Sequence, residues 1–244
     1  MADTLGFGYD GEAFNARVSA LAIKHDRARA LFFAEKLRAD FVFDTAALEG
    51  NPFTFPEVKT LIEGVTVGGR KHADAEQVSN INDALSWVIE RVKTNALVVD
   101  SETLCEINGI VARNESLEWG VFRSGGVTIA GTNYVPPPAN DLVDIFAKGV
   151  SLINRIGNAI ERACVLFLWG SLRQFFYDGN KRSARLLASG VLLTDGLPVL
   201  QIRATSQRTY NEVMTRFYDL QNADEALAWL LTIYVEQLRQ SGFT

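Results

Sequence analysis

Apolar positions recur every third or fourth residue through most of this chain, the period that lays one face of a helix against a core. The spacing predicts helix from Phe14 to Phe41, with charges between the apolar positions. Asp44-Thr45 reads as a new helix start, opening a short helix Thr45–Glu49 that Gly50-Asn51-Pro52 stops. Phe55–Gly64 is predicted as another short helix, with Pro56 in its first turn. Gly64 to Gly69 is a break. Glu76–Val92 carries Val78, Ile81, Ala84, Leu85, Val88 and Ile89 on one face, and Ser101–Val111 follows with Ser101 as its cap.

The period then changes. Between Gly120 and Tyr134 the glycines at 120, 125, 126 and 131 flank the alternating Val127 and Ile129, which predicts a small exposed β-hairpin. Pro136-Pro137-Pro138 ends it in extended conformation. Helical spacing resumes over Asn140–Ile156 and Ile160–Phe176. The second of these is so apolar (Val165, Leu166, Phe167, Leu168, Trp169) that it is expected to run through the core. Arg182–Thr194, closed by Asp195-Gly196, then Ser206–Leu220 and Glu225–Leu238 complete a mainly α chain carrying one hairpin.

Composition adds bounds rather than detail. At 244 residues, 48% hydrophobic and 22% charged, the chain has enough apolar mass for a substantial core. A net charge of −5 gives no basic surplus for nucleic acid. No apolar run approaches the roughly 20 residues of a membrane-spanning helix, and the first residues show no signal-peptide pattern. Cys105 and Cys164 read as reduced, buried thiols of a cytoplasmic protein. Trp87, Trp119, Trp169 and Trp229 read as packing residues, and His25 and His72 as surface residues.

One stretch carries chemistry. In Gln174-Phe175-Phe176-Tyr177-Asp178-Gly179-Asn180-Lys181-Arg182-Ser183-Ala184-Arg185 an acidic residue and a Gly-Asn turn open a helix. Lys181, Arg182 and Arg185 crowd its first turns. Cations there oppose the helix dipole, so an anion beside them would offset the cost. Glycine lets backbone approach a ligand, and the free N–H groups of a helix start favour phosphate. Asp178 is the hard oxygen donor that Mg²⁺ accepts next to phosphates. The plain alternative is an ordinary turn ahead of a solvated helix start.

These residues resemble the Fic (filamentation induced by cAMP) family, whose motif runs H-P-F-x-[D/E]-G-N-[G/K]-R-x-x-R. Phe176, Asp178, Gly179, Asn180, Lys181, Arg182 and Arg185 match it; Gln174 stands at the histidine and Phe175 at the proline. Thr45-Ala46-Ala47-Leu48-Glu49-Gly50 is similar to the [S/T]-x-x-x-E-[G/N] inhibitory helix of one class of the family. The segment from Phe122-Arg123 to Pro138 is similar to its flap, and Tyr210 to Tyr218 to its C-terminal helix. The segments fall in family order across about residues 40–235.

The resemblance implies a Fic-type helical core under a β-hairpin flap (about 120–138). It divides the chain into an N-terminal helical region, 1–95, with the inhibitory helix at about 44–50, and a core, 96–244, with the nucleotide loop at 174–185. It implies transfer of AMP from ATP to a protein hydroxyl. Asp178 would hold Mg²⁺; Gly179, Asn180, Lys181, Arg182 and Arg185 would bind the nucleotide phosphates. Glu49 would pair with Arg185 and obstruct the terminal phosphate, as a carboxylate competing for a guanidinium fork. A target protein would dock on the flap as an added strand. A homodimer is compatible with the sequence, and no nucleic-acid or membrane partner is implied.

Gln174 changes the chemistry. Its amide has no useful basicity, and a general base contributes about 10²- to 10⁴-fold. Three functions fit the sequence: a Mg–nucleotide binder impaired in AMP transfer, an active transferase in which Gln174 only orients the nucleophile, or an interaction module with a vestigial pocket.

Overall fold

A computed structural model describes residues 2–244, with backbone alone for residues 2 and 3. In chain order the helices are α1 (Ala2–Leu5), α2 (Gly11–Ser19), α3 (Arg27–Lys36), α4 (Arg38–Leu48), α5 (Phe55–Ile62) and α6 (His72–Lys93). They continue as α7 (Ser101–Val111), α8 (Leu142–Ile153), α9 (Ala159–Arg173), α10 (Asn180–Thr194), α11 (Gln207–Leu220) and α12 (Asp224–Gln240).

Short side chains fix where helices start. Asp10, Asp26, Asp100 and Asn158 each accept a first-turn N–H of the helix that follows. Asp100, not the expected Ser101, therefore caps α7. Asp26 also breaks the stretch expected to run unbroken from Phe14 to Phe41. It starts α3, and its own N–H donates to the carbonyl of Gly196 at 2.9 Å. Leu37 separates α3 from α4.

The expected helix start at Asp44-Thr45 is corrected. Both lie inside α4, which runs on to Leu48 and delivers Glu49 as its C-cap. Asp44 is buried and accepts from Gln201 Nε2 at 2.6 Å and the Ala204 N–H at 2.8 Å. Its polarity serves a tertiary contact, not a cap.

α9 and α10 are buried along nearly their whole length and lie side by side at the centre. A Cβ on Gly170 would sit 2.7 Å from the Cβ of Ala184, so glycine is what lets these two helices touch. α6 and α7 cover α10, α8 and α12 cover α9, and α4 packs across α5 and α6. Phe146, Trp169 and Phe175 form an aromatic knot below the loop that joins α9 to α10, with ring centroids 4.9–5.2 Å apart.

The hairpin expected at about 120–138 is also corrected. The segment is extended and packed against the helices, but among the described residues it forms no strand. Exposure does alternate from Gly126 to Ala130, with Val127 and Ile129 turned inward. Two donors of its second arm find a partner outside the segment: Thr132 Oγ1 and the Asn133 N–H both donate to Asp219 Oδ1. No helix among the described residues is long and apolar enough to cross a membrane.

Candidate functional site

α9 ends at Arg173, and Gln174 turns the chain with φ 49° and ψ 60°, the left-handed region. Its carbonyl accepts from Arg123 Nε at 2.6 Å. Its side chain is used at both ends: Nε2 donates to the Ser171 carbonyl at 2.7 Å, and Oε1 accepts from Asn180 Nδ2 at 3.1 Å. Phe175 and Phe176 then turn into the core, each 1% exposed. Phe175, at the proline position, anchors the loop by its ring instead of by a fixed backbone angle.

Asn180 closes the loop. Its Oδ1 accepts the Phe176 N–H at 2.9 Å and its Nδ2 donates to the Phe176 carbonyl at 2.8 Å. Gly179 has φ 74°, and a Cβ there would meet the Cβ of Ala112 at 2.7 Å, so position 179 requires glycine twice over. Asn108, on α7, donates to the Asp178 carbonyl at 2.9 Å. No side chain caps α10, which leaves its start without a side-chain acceptor, the arrangement that favours an anion.

The cations divide. Arg182 is 2% exposed and is taken up by a fork to Glu115 at 2.6 and 2.7 Å, with the Val111 carbonyl and Asp178 completing its donors. Burial opposes its charge, yet the bonds to Glu115 outweigh this and raise its pKa. Arg182 thus braces the loop from beneath and also lines the cavity above it.

Lys181 Nζ pairs with Glu49 Oε2 at 3.2 Å and lies 5.8 Å from the Tyr210 ring centroid. Burial pushes the Glu49 carboxyl up, but Lys181, Arg182 and Arg185 together hold it below its usual value. The expected Glu49–Arg185 ion pair is not formed among the described residues. Arg185 lies one turn deeper, over the ring of Phe41 at 6.0 Å, and Lys181 reaches Glu49 first. Arg185 is fully buried, burial lowers its pKa, and its Nε and Nη2 have no partner.

Above this floor is a cavity of about 580 Å³. Glu49, Gln174 and residues 178–182 line one side; Thr128–Gly131 of the loop and Tyr210, Met214 and Tyr218 of α11 line the others. The Tyr210 and Tyr218 hydroxyls are buried without partners. Asp178 is half-exposed at the edge. Among the described residues no group of His, Cys, Asp or Glu forms a metal cage. A single carboxylate beside a phosphate-binding helix start suits Mg²⁺, which is held largely by phosphate oxygens and water.

Neither histidine lines this cavity: His25 faces Asp195 at 2.9 Å on the surface and His72 is 92% exposed. Both cysteines are unpaired; burial raises the Cys105 thiol to about 11 and the Cys164 thiol to about 12. Trp169 is core, while Trp119 is 37% exposed.

Sequence reasoning missed Asn108, Glu115, Arg123 and the α11 wall. The spacing of Tyr210, Met214 and Tyr218 looks like an ordinary buried stripe. Nothing local marks Glu115 as the partner of an arginine 67 positions on.

Residues 98–192 match the family model described as the Fic/DOC family. The chain is 25% identical over 185 residues to a protein adenylyltransferase Fic of Nematostella vectensis, covering 72% of this chain and 42% of that protein. It is 24% identical over 178 residues to the protein adenylyltransferase fic-1 of Caenorhabditis elegans, covering 70% and 34%. The chain thus spans about two fifths of the length of such relatives. Its fold is similar to a Fic domain containing signaling protein from Bacteroides thetaiotaomicron, with TM-score 0.74, 20% identity, and coverage of 94% of this chain and 92% of that one. It is also similar to the Fic-1 structure from C. elegans, with TM-score 0.71, 18% identity, and coverage of 94% and 67%. With its loop, helix start and covering segment arranged as described, residues 98–192 are similar to the Fic/DOC family.

Proposed function

We propose that the cavity above α10 binds a Mg–nucleotide, with ATP the expected one, and that the protein is impaired in transferring AMP to protein hydroxyls. Adenylyltransferase relatives support the nucleotide; the uncapped start of α10, Lys181 and Asp178 supply the chemistry it needs. Gly179 and Asn180 shape the loop whose N–H groups would meet phosphate. Asp178 would hold Mg²⁺, which supplies charge neutralisation when bound. Arg185 sits below as a buried positive charge.

The observation that carries the impairment is the state of Gln174. A hydroxyl nucleophile must lose a proton as it attacks phosphorus. Gln174 has no basic atom, and both ends of its amide are already bonded within the protein. That also counts against the alternative in which it orients the nucleophile. Glu49, on Lys181, holds a carboxylate in the place an incoming phosphate would take, and we read it as inhibitory. The inward-facing alternation at Val127 and Ile129 leaves an unpaired extended edge on which a target protein would dock.

The test uses labelled ATP and a protein lysate. Gln174→His combined with Glu49→Gly is expected to label targets about 10²- to 10⁴-fold faster than Glu49→Gly alone. Equal labelling by the two would overturn the impairment. Calorimetry with Mg–ATP tests binding separately, and no heat even in Glu49→Gly would leave only an interaction role.

A further inference from the structure

We infer that Arg123 is a positioning residue that clamps the neck of the covering segment to the loop bearing Gln174, so that the two move as one unit. Arg123 is 2% exposed, and no carboxylate lies within ion-pair distance of it among the described residues. Its guanidinium instead serves three carbonyls from three places. Nε donates to Gln174, Nη1 to Gly125 at 2.6 Å and Nη2 to Pro137 at 2.5 Å. Its own N–H donates to the Phe175 carbonyl at 2.9 Å.

Gly125 and Pro137 mark the two ends of the segment that covers the cavity, and Gln174 is the left-handed residue at its floor. Since the two arms of the segment form no ladder, this fork is what joins them at the base. Burial presses the Arg123 pKa down, yet arginine stays charged, and a buried charge without bonds is very costly. Opening the neck would expose or strand that charge. The segment can therefore hinge only beyond residue 125 and before residue 137, and any displacement at the neck pulls on the carbonyl of Gln174. Only a planar fork reaches three separate acceptors in this way; a lysine keeps the charge and loses the geometry.

Hydrogen exchange of the whole chain without nucleotide tests the clamp independently of the nucleotide reading. In Arg123→Lys the amides of Arg123, Asn133, Tyr134 and Phe176 should exchange at least about tenfold faster, with α9 and α10 unchanged. Mg–ATP should bind about tenfold more weakly. Unchanged exchange at these amides, or equal loss of protection in α9 and α10, overturns the proposal. Absence of Mg–ATP binding in wild type would sink the nucleotide reading and leave the exchange result standing. If Arg123→Lys does not fold, Arg123→Gln is read in the same way. If neither folds, wild-type exchange against urea decides. Joint opening of the Arg123 and Phe176 amides supports the clamp, and separate opening overturns it.

Discussion

A glutamine in the left-handed region carries a strain of about 1–2 kcal/mol relative to glycine. Its three hydrogen bonds and the neighbouring ring of Phe175 hold it there. Phe175 contributes most: Phe175→Ala should lower unfolding free energy by about 3–5 kcal/mol in urea titration, through the cavity left among Phe122, Phe146 and Trp169. The Glu49–Lys181 contact has its own pH signature. The folded pKa of Glu49 lies below 4.5, so its contribution is present above that value and lost only as pH falls through the lower folded value. Lys181 is raised above 10.5, so its contribution is present below that value and lost as pH rises through the folded value. The tighter Mg–ATP binding expected of Glu49→Gly should then persist unchanged from about pH 5 to about pH 9, measured by calorimetry.

Among elements, α4 shows how a local signal misleads. Asp44-Thr45 followed by Glu49 has the look of a helix start, but the partner of Asp44 is Gln201, 157 positions away. Short-range spacing has no access to such a pairing. Gln207 adds a second tie, donating to the Ala47 carbonyl at 2.8 Å. Both ties fix the end of α4 and so the reach of Glu49. Asp44→Ala should strand the buried Gln201 amide, costing about 1–3 kcal/mol in urea unfolding, and also release the half-buried Ala204 N–H. It should also tighten Mg–ATP, and adding it to Glu49→Gly should give no further gain in affinity. Legible in sequence were the apolar stripes of α6, α9 and α10 and the Gly179-Asn180 turn, because each is a contiguous pattern. The division of labour among Lys181, Arg182 and Arg185 was not, because it depends on which of Glu49 and Glu115 arrives beside each.

At the scale of the molecule, helix content was legible and the covering segment only half so. Alternation at Val127 and Ile129 correctly marked extended chain, but alternation does not say where the paired edge is. The loop from Gln174 to Asn180 is held from within the protein: by Asn180 above, Arg182 and Glu115 beneath, and the aromatic knot behind. Its shape exists before anything enters the cavity. A ligand arriving there orders almost no chain and hides little fresh apolar surface. The heat capacity change of Mg–ATP association should accordingly be small, far from the large negative values of coupled folding. Measured between about 10 and 35 °C, the enthalpy of association should stay nearly flat with temperature, as for a mould already cast.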